Sequence, residues 1–310
     1  MPRTDERDAE IEERPAVHLF DGHVLLFRAW HALPEMPAPD GAPTGAAYGF
    51  AASLLRALER LEHAAVCFDA ALESFRNDLL PGYKSSRGEP PLELEAQFGF
   101  AREVTRALGV SSLEQRPYEA DDLLATASEQ LLEAGADVVI VTSDKDLTQL
   151  VREDGRVVLR DPAKGTMLDA DGVRARFGVD PAQIPDWLAL VGDAVDDLPG
   201  VPGLGPKRAS ALLRGFASLD RIPADAAAWA ALGLRGADGL VRGFALHRER
   251  ALRVRELARL VRSVPDVRVT LSSVAWRGAR RELVEPLFAR LGWQGIARRI
   301  PRWSEIDASG

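Results

Sequence analysis

Three short runs of apolar residues stand out along the chain: AVHLF at 16–20, AAVCF at 64–68 and DVVIVTS at 137–143. They are rich in β-branched and aromatic residues and too short for helices, the pattern of strands buried on both faces. Between them apolar positions recur with a period near 3.6 over 45–61, 92–109 and 119–134, which predicts amphipathic helices. Alternation of this kind predicts an α/β fold, a mostly parallel sheet flanked by helices. Residues 81–91, PGYKSSRGEPP, combine turn formers with no periodicity and read as a mobile loop or arch. From about residue 181 the pattern becomes helical, broken by the segment LPGVPGLGPKRASALL, so a smaller all-helical subdomain is expected.

Composition narrows the class. Hydrophobic residues make up 46% and charged residues 28%, and no apolar run approaches the ~20 residues of a membrane span, so a membrane protein is excluded. Residues 1–14 hold six acids and three Arg without an apolar stretch; they are neither a signal nor a transit peptide, and a disordered acidic tail is expected. The single cysteine, Cys67, lies inside a buried run. That excludes a disulfide framework and a cysteine-rich zinc site and points to a reducing compartment, the cytoplasm. The expected division is therefore a tail over 1–14, an α/β core over 15–180 and a helical, increasingly basic region over 181–302. The net charge of −8 hides a segregation: residues 242–302 carry fifteen Arg and no Lys against five acids, a net of +10, leaving −18 elsewhere. A basic C-terminal third beside an acidic remainder suits a nucleic-acid partner better than the average charge suggests.

The acids carry the chemistry. Asp21, Asp69 and Asp144 follow the three strand runs, at the carboxyl ends where α/β sheets bind ligands. YEADD adds Glu119, Asp121 and Asp122, TSDKD adds Asp146, and GDAVDD adds Asp193 and Asp196. Taken singly, such groups read as helix caps or as acids favoured in a first helical turn. Gathered at one sheet edge they repel by roughly 4 kcal/mol per pair at ~4 Å and an effective dielectric near 20, so bound cations are required. Oxygen ligands without Cys or clustered His suit Mg²⁺ or Mn²⁺. Two such ions about 3.5–4 Å apart serve in-line displacement at phosphorus, and phosphodiester hydrolysis is the expected chemistry. The segment PGLGPKRAS lacks the GK[ST] of a phosphate loop and the third Gly of a dinucleotide fingerprint. Gly203 and Gly205 ahead of Lys207 and Arg208 instead suit a helix-hairpin-helix, whose backbone amides and helix N-terminus hold a DNA phosphate.

Taken together, FDGHVLLFR, YGFAASLLRAL, FDAALESFR, GYKSSR, YEADDLLA, TSDKDLTQL and GDAVDDLPGVPGLGPKRASALL closely resemble the 5′ nuclease family, which includes flap endonucleases and the front domain of bacterial DNA polymerase I. The resemblance runs from about 16 to 290. It implies a PIN-like core with a helix-hairpin-helix (H3TH) subdomain, and metal ligands at Asp21, Asp69, Glu119, Asp121, Asp122, Asp144, Asp146, Asp193 and Asp196. It also implies an arch in which Tyr83, Lys84 and Arg87 steer the scissile phosphate and stabilise its transition state. A hairpin over Val201–Ala209, with Val201, Gly203, Gly205, Lys207 and Arg208, would hold duplex DNA and a K⁺ ion. The activity implied is a Mg²⁺- or Mn²⁺-dependent 5′→3′ exonuclease and flap endonuclease on 5′ flaps, nicks and duplex ends, in primer removal and repair. RNA–DNA hybrids are further expected substrates. An RNA-cleaving nuclease or a non-catalytic junction binder could share this core; the hairpin and the basic C-terminal third favour duplex DNA, and the complete acid set argues against a binder without catalysis. Two departures are visible: FDAA lacks the Lys often found after FDA, and Asp197 stands where the family usually has Asn. No polymerase region follows within the 310 residues, so a stand-alone monomer served by a polymerase in trans is expected.

Overall fold

The computed structural model describes residues 14–305; of the expected acidic tail, only Arg14 falls within them. Six strands form one sheet: β1 Ala16–Asp21, β2 Ala64–Cys67, β3 Ser111–Leu113, β4 Asp137–Val141, β5 Val157–Arg160 and β6 Met167–Leu168. Their order is β3-β2-β1-β4-β5-β6; β1 to β5 are parallel and β6 is antiparallel to β5. The helices in chain order are α1 Gly22–Ala32, α2 Gly45–Leu58, α3 Phe75–Leu79, α4 Leu92–Ala107, α5 Ala120–Glu133 and α6 Ala170–Phe177. They continue with α7 Ile184–Val191, α8 Pro206–Phe216, α9 Ala226–Ala231, α10 Ala237–Ala258, α11 Leu271–Val274 and α12 Arg281–Arg290. The three expected strands and the three expected helices are present with ends moved by up to three residues. β3, β5 and β6 are additions.

Successive strand residues point to opposite faces, and the sheet therefore divides two cores. Val17, Leu19, Cys67, Val138 and Ile140 face one core, which they share with α5, α7, α8 and α10. Phe20, Val66 and Val141 face the other, shared with α1, α2, α4 and α12. Chain order reverses between β1 and β4, the place where a crevice opens beyond the strand ends. The register puts Asp21 level with Cys67 of β2 and Phe20 level with Val141 of β4, which brings Asp21, Asp69 and Asp144 to one edge. Gly22 makes the tight exit from β1 possible: a Cβ there would stand 2.4 Å from the Phe68 ring.

The division at residue 181 is not kept to the end. Residues 276–303 return to the α/β body instead of extending the helical subdomain. Trp276 donates its backbone N–H to the Glu62 carbonyl at 2.7 Å and its indole N–H to the Leu108 carbonyl at 2.8 Å. Val284, Phe288 and Trp293 fill the core against α2 and α4. Part of the C-terminal arginine surplus serves this docking: Arg290 pairs with Glu103 and Arg302 with Glu62.

Candidate functional site: a carboxylate cleft at the strand ends

Asp21 ends β1 and caps α1, with one oxygen accepting from the Val24 N–H and the other from the Thr142 hydroxyl, each at 3.0 Å. Burial pushes its carboxyl up to about 7, and the charges of Asp144 and Asp69 add to that effect. Asp121, in the first turn of α5, is pushed well above the carboxylate range by burial and by Asp144 and Asp21. Asp69 accepts from the Ala120 N–H at 2.6 Å, fixing β2 to the start of α5. Asp144 accepts from the Asp146 N–H at 2.8 Å and so turns the chain into the short 3-10 segment Asp146–Leu150.

A second group lies across the cleft. Carboxylate oxygens of Asp146, Asp193 and Asp196 all lie within 4.8 Å of one another. Oδ1 of Asp146 is buried without a hydrogen-bond partner, and burial together with Asp144 pushes this carboxyl up to about 7. An oxygen with no hydrogen bond, Lys145 Nζ standing 3.7 Å away, beside two more carboxylates and with no nitrogen or sulfur donor in the set, fits a hard divalent cation. Asp144 contributes to the raised values of Asp21, Asp121, Asp146 and Asp196, so its charge acts on members of both groups.

Cations stand on the rim. Lys84 Nζ donates to Glu119 at 2.9 Å, Lys145 Nζ donates to Asp193 at 2.5 Å, and Arg87 pairs with Asp196. Burial opposes a charge on Lys84, but Glu119, Tyr83, Asp121 and Asp196 together outweigh it and raise the Lys84 pKa. Glu119 itself is buried, which pushes its carboxyl up. Lys84 and Arg76, with the Ser74 hydroxyl, reverse the sign and hold it below the usual range. Sequence reasoning missed Lys145, Arg76 and Thr142. The Lys inside TSDKD was the one local signal, since a cation between two expected ligands has few other partners.

Three expected site residues are placed elsewhere. Asp122 is fully buried and does not face the cleft: its oxygens accept from Arg76 at 2.7 and 2.8 Å, from the Val261 N–H at 2.9 Å and from the Glu119 N–H at 3.2 Å. Its role as a metal ligand is corrected to that of Arg76's counter-ion. Tyr83 is 5% exposed, with its ring in the core and its hydroxyl on Glu119 at 3.3 Å; an apolar ring gains more by burial than by solvent contact, and it offers no face to DNA. Val201 is 5% exposed, with its N–H donated to the Leu190 carbonyl at 2.8 Å and its carbonyl accepting from the Leu204 N–H at 2.9 Å. His23, read as a packing residue, does pack, against the Phe98 ring at 4.8 Å. Its Nδ1 accepts from the Asp69 N–H at 3.3 Å, and burial lowers its pKa.

The hairpin follows α7. Gly203 has φ +86°, in the left-handed region that favours glycine, and Gly205 caps α8, which begins with Pro206. Lys207 and Arg208 are exposed in the first turn of α8, and Arg208 donates to the Gly203 carbonyl at 2.8 Å.

Residues 16–178 match the family model for the 5′-3′ exonuclease N-terminal resolvase-like domain, and residues 179–282 the model for the 5′-3′ exonuclease C-terminal SAM fold. The chain is 38% identical over 291 residues to DNA polymerase I of Pseudomonas aeruginosa, covering 91% of this chain and 31% of that protein. It is 35% identical over 289 residues to DNA polymerase I of Bacillus caldotenax, covering 91% and 32%. The chain thus spans about a third of the length of these two polymerases. Among solved structures, the bacteriophage T5 5′-exonuclease with bound zinc superposes with a TM-score of 0.66 at 21% identity, over 88% of this chain and 96% of that one. The catalytic core of Rad2 with a DNA substrate superposes at 0.59 and 15%, over 90% and 88%. These two likenesses carry the fold. With both domain models matched in order from residue 16 to residue 282, the chain belongs to the 5′-3′ exonuclease family.

Proposed function

We propose that this chain is a divalent-metal-dependent 5′→3′ exonuclease and flap endonuclease, hydrolysing phosphodiester bonds near the 5′ end of branched or nicked DNA in primer removal and repair. The observation that carries this reading is the pair of carboxylate groups facing across the strand ends, one of them holding the Asp146 Oδ1, buried without a hydrogen bond, beside Asp193 and Asp196. Asp21, Asp69, Glu119, Asp121 and Asp144 would hold one ion, and Asp146, Asp193 and Asp196 a second. Such ions supply activation of water and neutralisation of the leaving oxygen. All-oxygen donors favour Mg²⁺, with Mn²⁺ as its substitute.

The chain's own groups do the rest. Lys84 and Arg87 are anchored at the cleft by Glu119 and Asp196 and are positioned to meet the charge that builds on a phosphate between the two acidic groups. Lys207, Arg208 and the amides at the start of α8 hold the duplex by its phosphates and set register without reading sequence. A K⁺ ion at the hairpin would share carbonyls that already accept protein donors: Gly200 from Arg250, Val201 from the Leu204 N–H and Gly203 from Arg208. Removal of a 5′ strand leaves a gap, which makes a DNA polymerase the natural partner.

End-labelled flap, nicked and single-stranded substrates, with DNA and RNA versions of the 5′ strand, test the reading. Cleavage near the branch in Mg²⁺ or Mn²⁺, none in EDTA, and products ending in a 5′-phosphate and a 3′-hydroxyl are expected. Binding without cleavage would leave a junction-binding module, and preference for single-stranded RNA an RNA nuclease.

A further inference from the structure

Asp197 follows the two carboxylates Asp193 and Asp196 but turns away from them. Its φ is +55°, in the left-handed region that Asp, Asn and Gly tolerate best. Its Oδ2 accepts from the Ser86 N–H at 2.7 Å and from the Ser85 hydroxyl at 3.4 Å. Ser85–Arg87 is the short turn of the arch, so this one carboxylate ties the arch to the loop bearing two expected ligands.

The rest of the seam runs the same way. The Lys84 N–H donates to the Asp196 carbonyl at 3.1 Å, Arg87 Nε donates to the Val195 carbonyl at 3.3 Å, and the Arg87 guanidinium pairs with the Asp196 carboxylate. The loop is itself closed by reciprocal bonds between the backbones of Asp193 and Leu198, each 2.8 Å, and by the Val195 N–H on Asp193 at 3.1 Å. A rigid loop therefore holds a turn that lacks a core of its own: Ser85, Ser86 and Arg87 are all exposed.

We propose that Asp197 is a positioning residue that pins the arch turn to the ligand loop, fixing Lys84 and Arg87 at a set distance from the carboxylates they serve. An amide at this position could accept the same N–H, but a carboxylate makes the charge-assisted bond, roughly twice as strong as a neutral one. The proposal rests in part on the nuclease reading, because the distance matters only if a phosphate must fit between arch and carboxylates.

The test compares Asp197→Gly, which removes the carboxylate and relieves the backbone, with Asp197→Asn, which keeps an acceptor and the left-handed conformation. Hydrogen exchange of peptides covering residues 83–90 is measured without DNA or metal, alongside single-turnover cleavage of flap DNA at saturating enzyme and flap affinity. In Asp197→Gly, arch exchange should speed up about tenfold and cleavage fall about tenfold, the size of one lost hydrogen bond to a charged group. Affinity should stay within about twofold, and Asp197→Asn, which keeps an acceptor but loses the charge, should fall between Asp197→Gly and the wild type in both exchange and rate. Unchanged arch exchange in Asp197→Gly overturns the pin, as does an equal rate loss in both variants. If the wild type cleaves nothing, the nuclease reading fails, while the exchange data still judge the pin.

Discussion

Asp121 and Asp122 are neighbours in the first turn of α5, about 100° apart around the helix, and they lead opposite lives. Asp121 turns toward Asp21 and Asp144, and its carboxyl is pushed well above the ordinary range. Asp122 turns toward Arg76, and both its oxygens are engaged. Arg76 in turn donates to the carbonyls of Leu257 and Arg259 at 2.8 and 3.2 Å, so the Asp122 side holds the end of α10 against the α/β body. A buried charge that is fully paired fastens structure; one surrounded by like charge is held ready for a ligand. The lesson is that the partner of a buried carboxylate, more than its burial, separates architecture from chemistry.

The comparison can be broken most directly at its charged side. Asp144→Asn should reduce metal-dependent cleavage below detection, leave flap binding intact, and raise the melting temperature of the metal-free protein. The change keeps the acceptor for the Asp146 N–H while removing the charge that raises four neighbours. Near-normal cleavage, or a lower metal-free melting temperature, would place Asp144 among the structural caps.

On the paired side, Asp122→Ala should destabilise the fold by about 3–5 kcal/mol, the usual cost of leaving one member of a buried ion pair alone. Denaturant unfolding measures this. A loss below about 1 kcal/mol would mean that the pair behaves like a surface one.

Lys84 links the two sides through Glu119. Lys84→Ala is expected to slow single-turnover cleavage by about a hundredfold with flap affinity changed far less. Equal losses, with rate recovered at saturating enzyme, would make Lys84 a ground-state contact.

The effect of pH sharpens the contrast further. Asp21 and Asp146 have folded-state values near 7, above the ordinary 3.8 of an unfolded chain, so the metal-free native state binds more protons than the unfolded state between those limits. Metal-free stability should therefore fall by several degrees of melting temperature as pH rises from about 4 to 7. Mg²⁺ affinity should move the other way, because the ligands must be deprotonated. Calorimetric scans in EDTA and Mn²⁺ titrations at pH 6 and 8 check both signs.

The smallest change is expected at the hairpin. Replacing Lys207 and Arg208 together by Ala should lower the slope of log K against log salt by about one unit per lost phosphate contact without moving the cleavage position. An unchanged slope would take the hairpin out of the DNA interface.

The pattern that made the site legible was the recurrence of Asp just after each buried apolar run, because strand register then fixes those carboxylates at one edge. What the pattern could not say was which of two adjacent acids faces the edge. YEADD offers Glu119, Asp121 and Asp122 on one turn, and only the placement of Arg76, more than forty positions away in the chain, decides that Asp122 points elsewhere. Tyr83 misled for a related reason: it lies in a loop-like segment, while its ring is claimed by a core that the local sequence does not display. β3 and β6 escaped notice because SSL and ML are edge strands of three and two residues, too short for a period. β5, VVLR, is a half-buried strand of four residues, and its apolar run is no longer than those common in helices.

The return of residues 276–303 to the α2 and α4 side has a consequence for how the protein is made. Synthesis is vectorial, and domains fold as they emerge, N-terminal first. The sheet, α1, α2 and α4 leave the ribosome early, yet Trp276, Phe288 and Trp293, which complete that core, come about 250 positions after the start of the first of its helices. Until then the nascent α/β half carries an uncovered apolar flank, a natural client for a chaperone. A version cut at residue 275 would keep every carboxylate of the cleft and still be expected to aggregate.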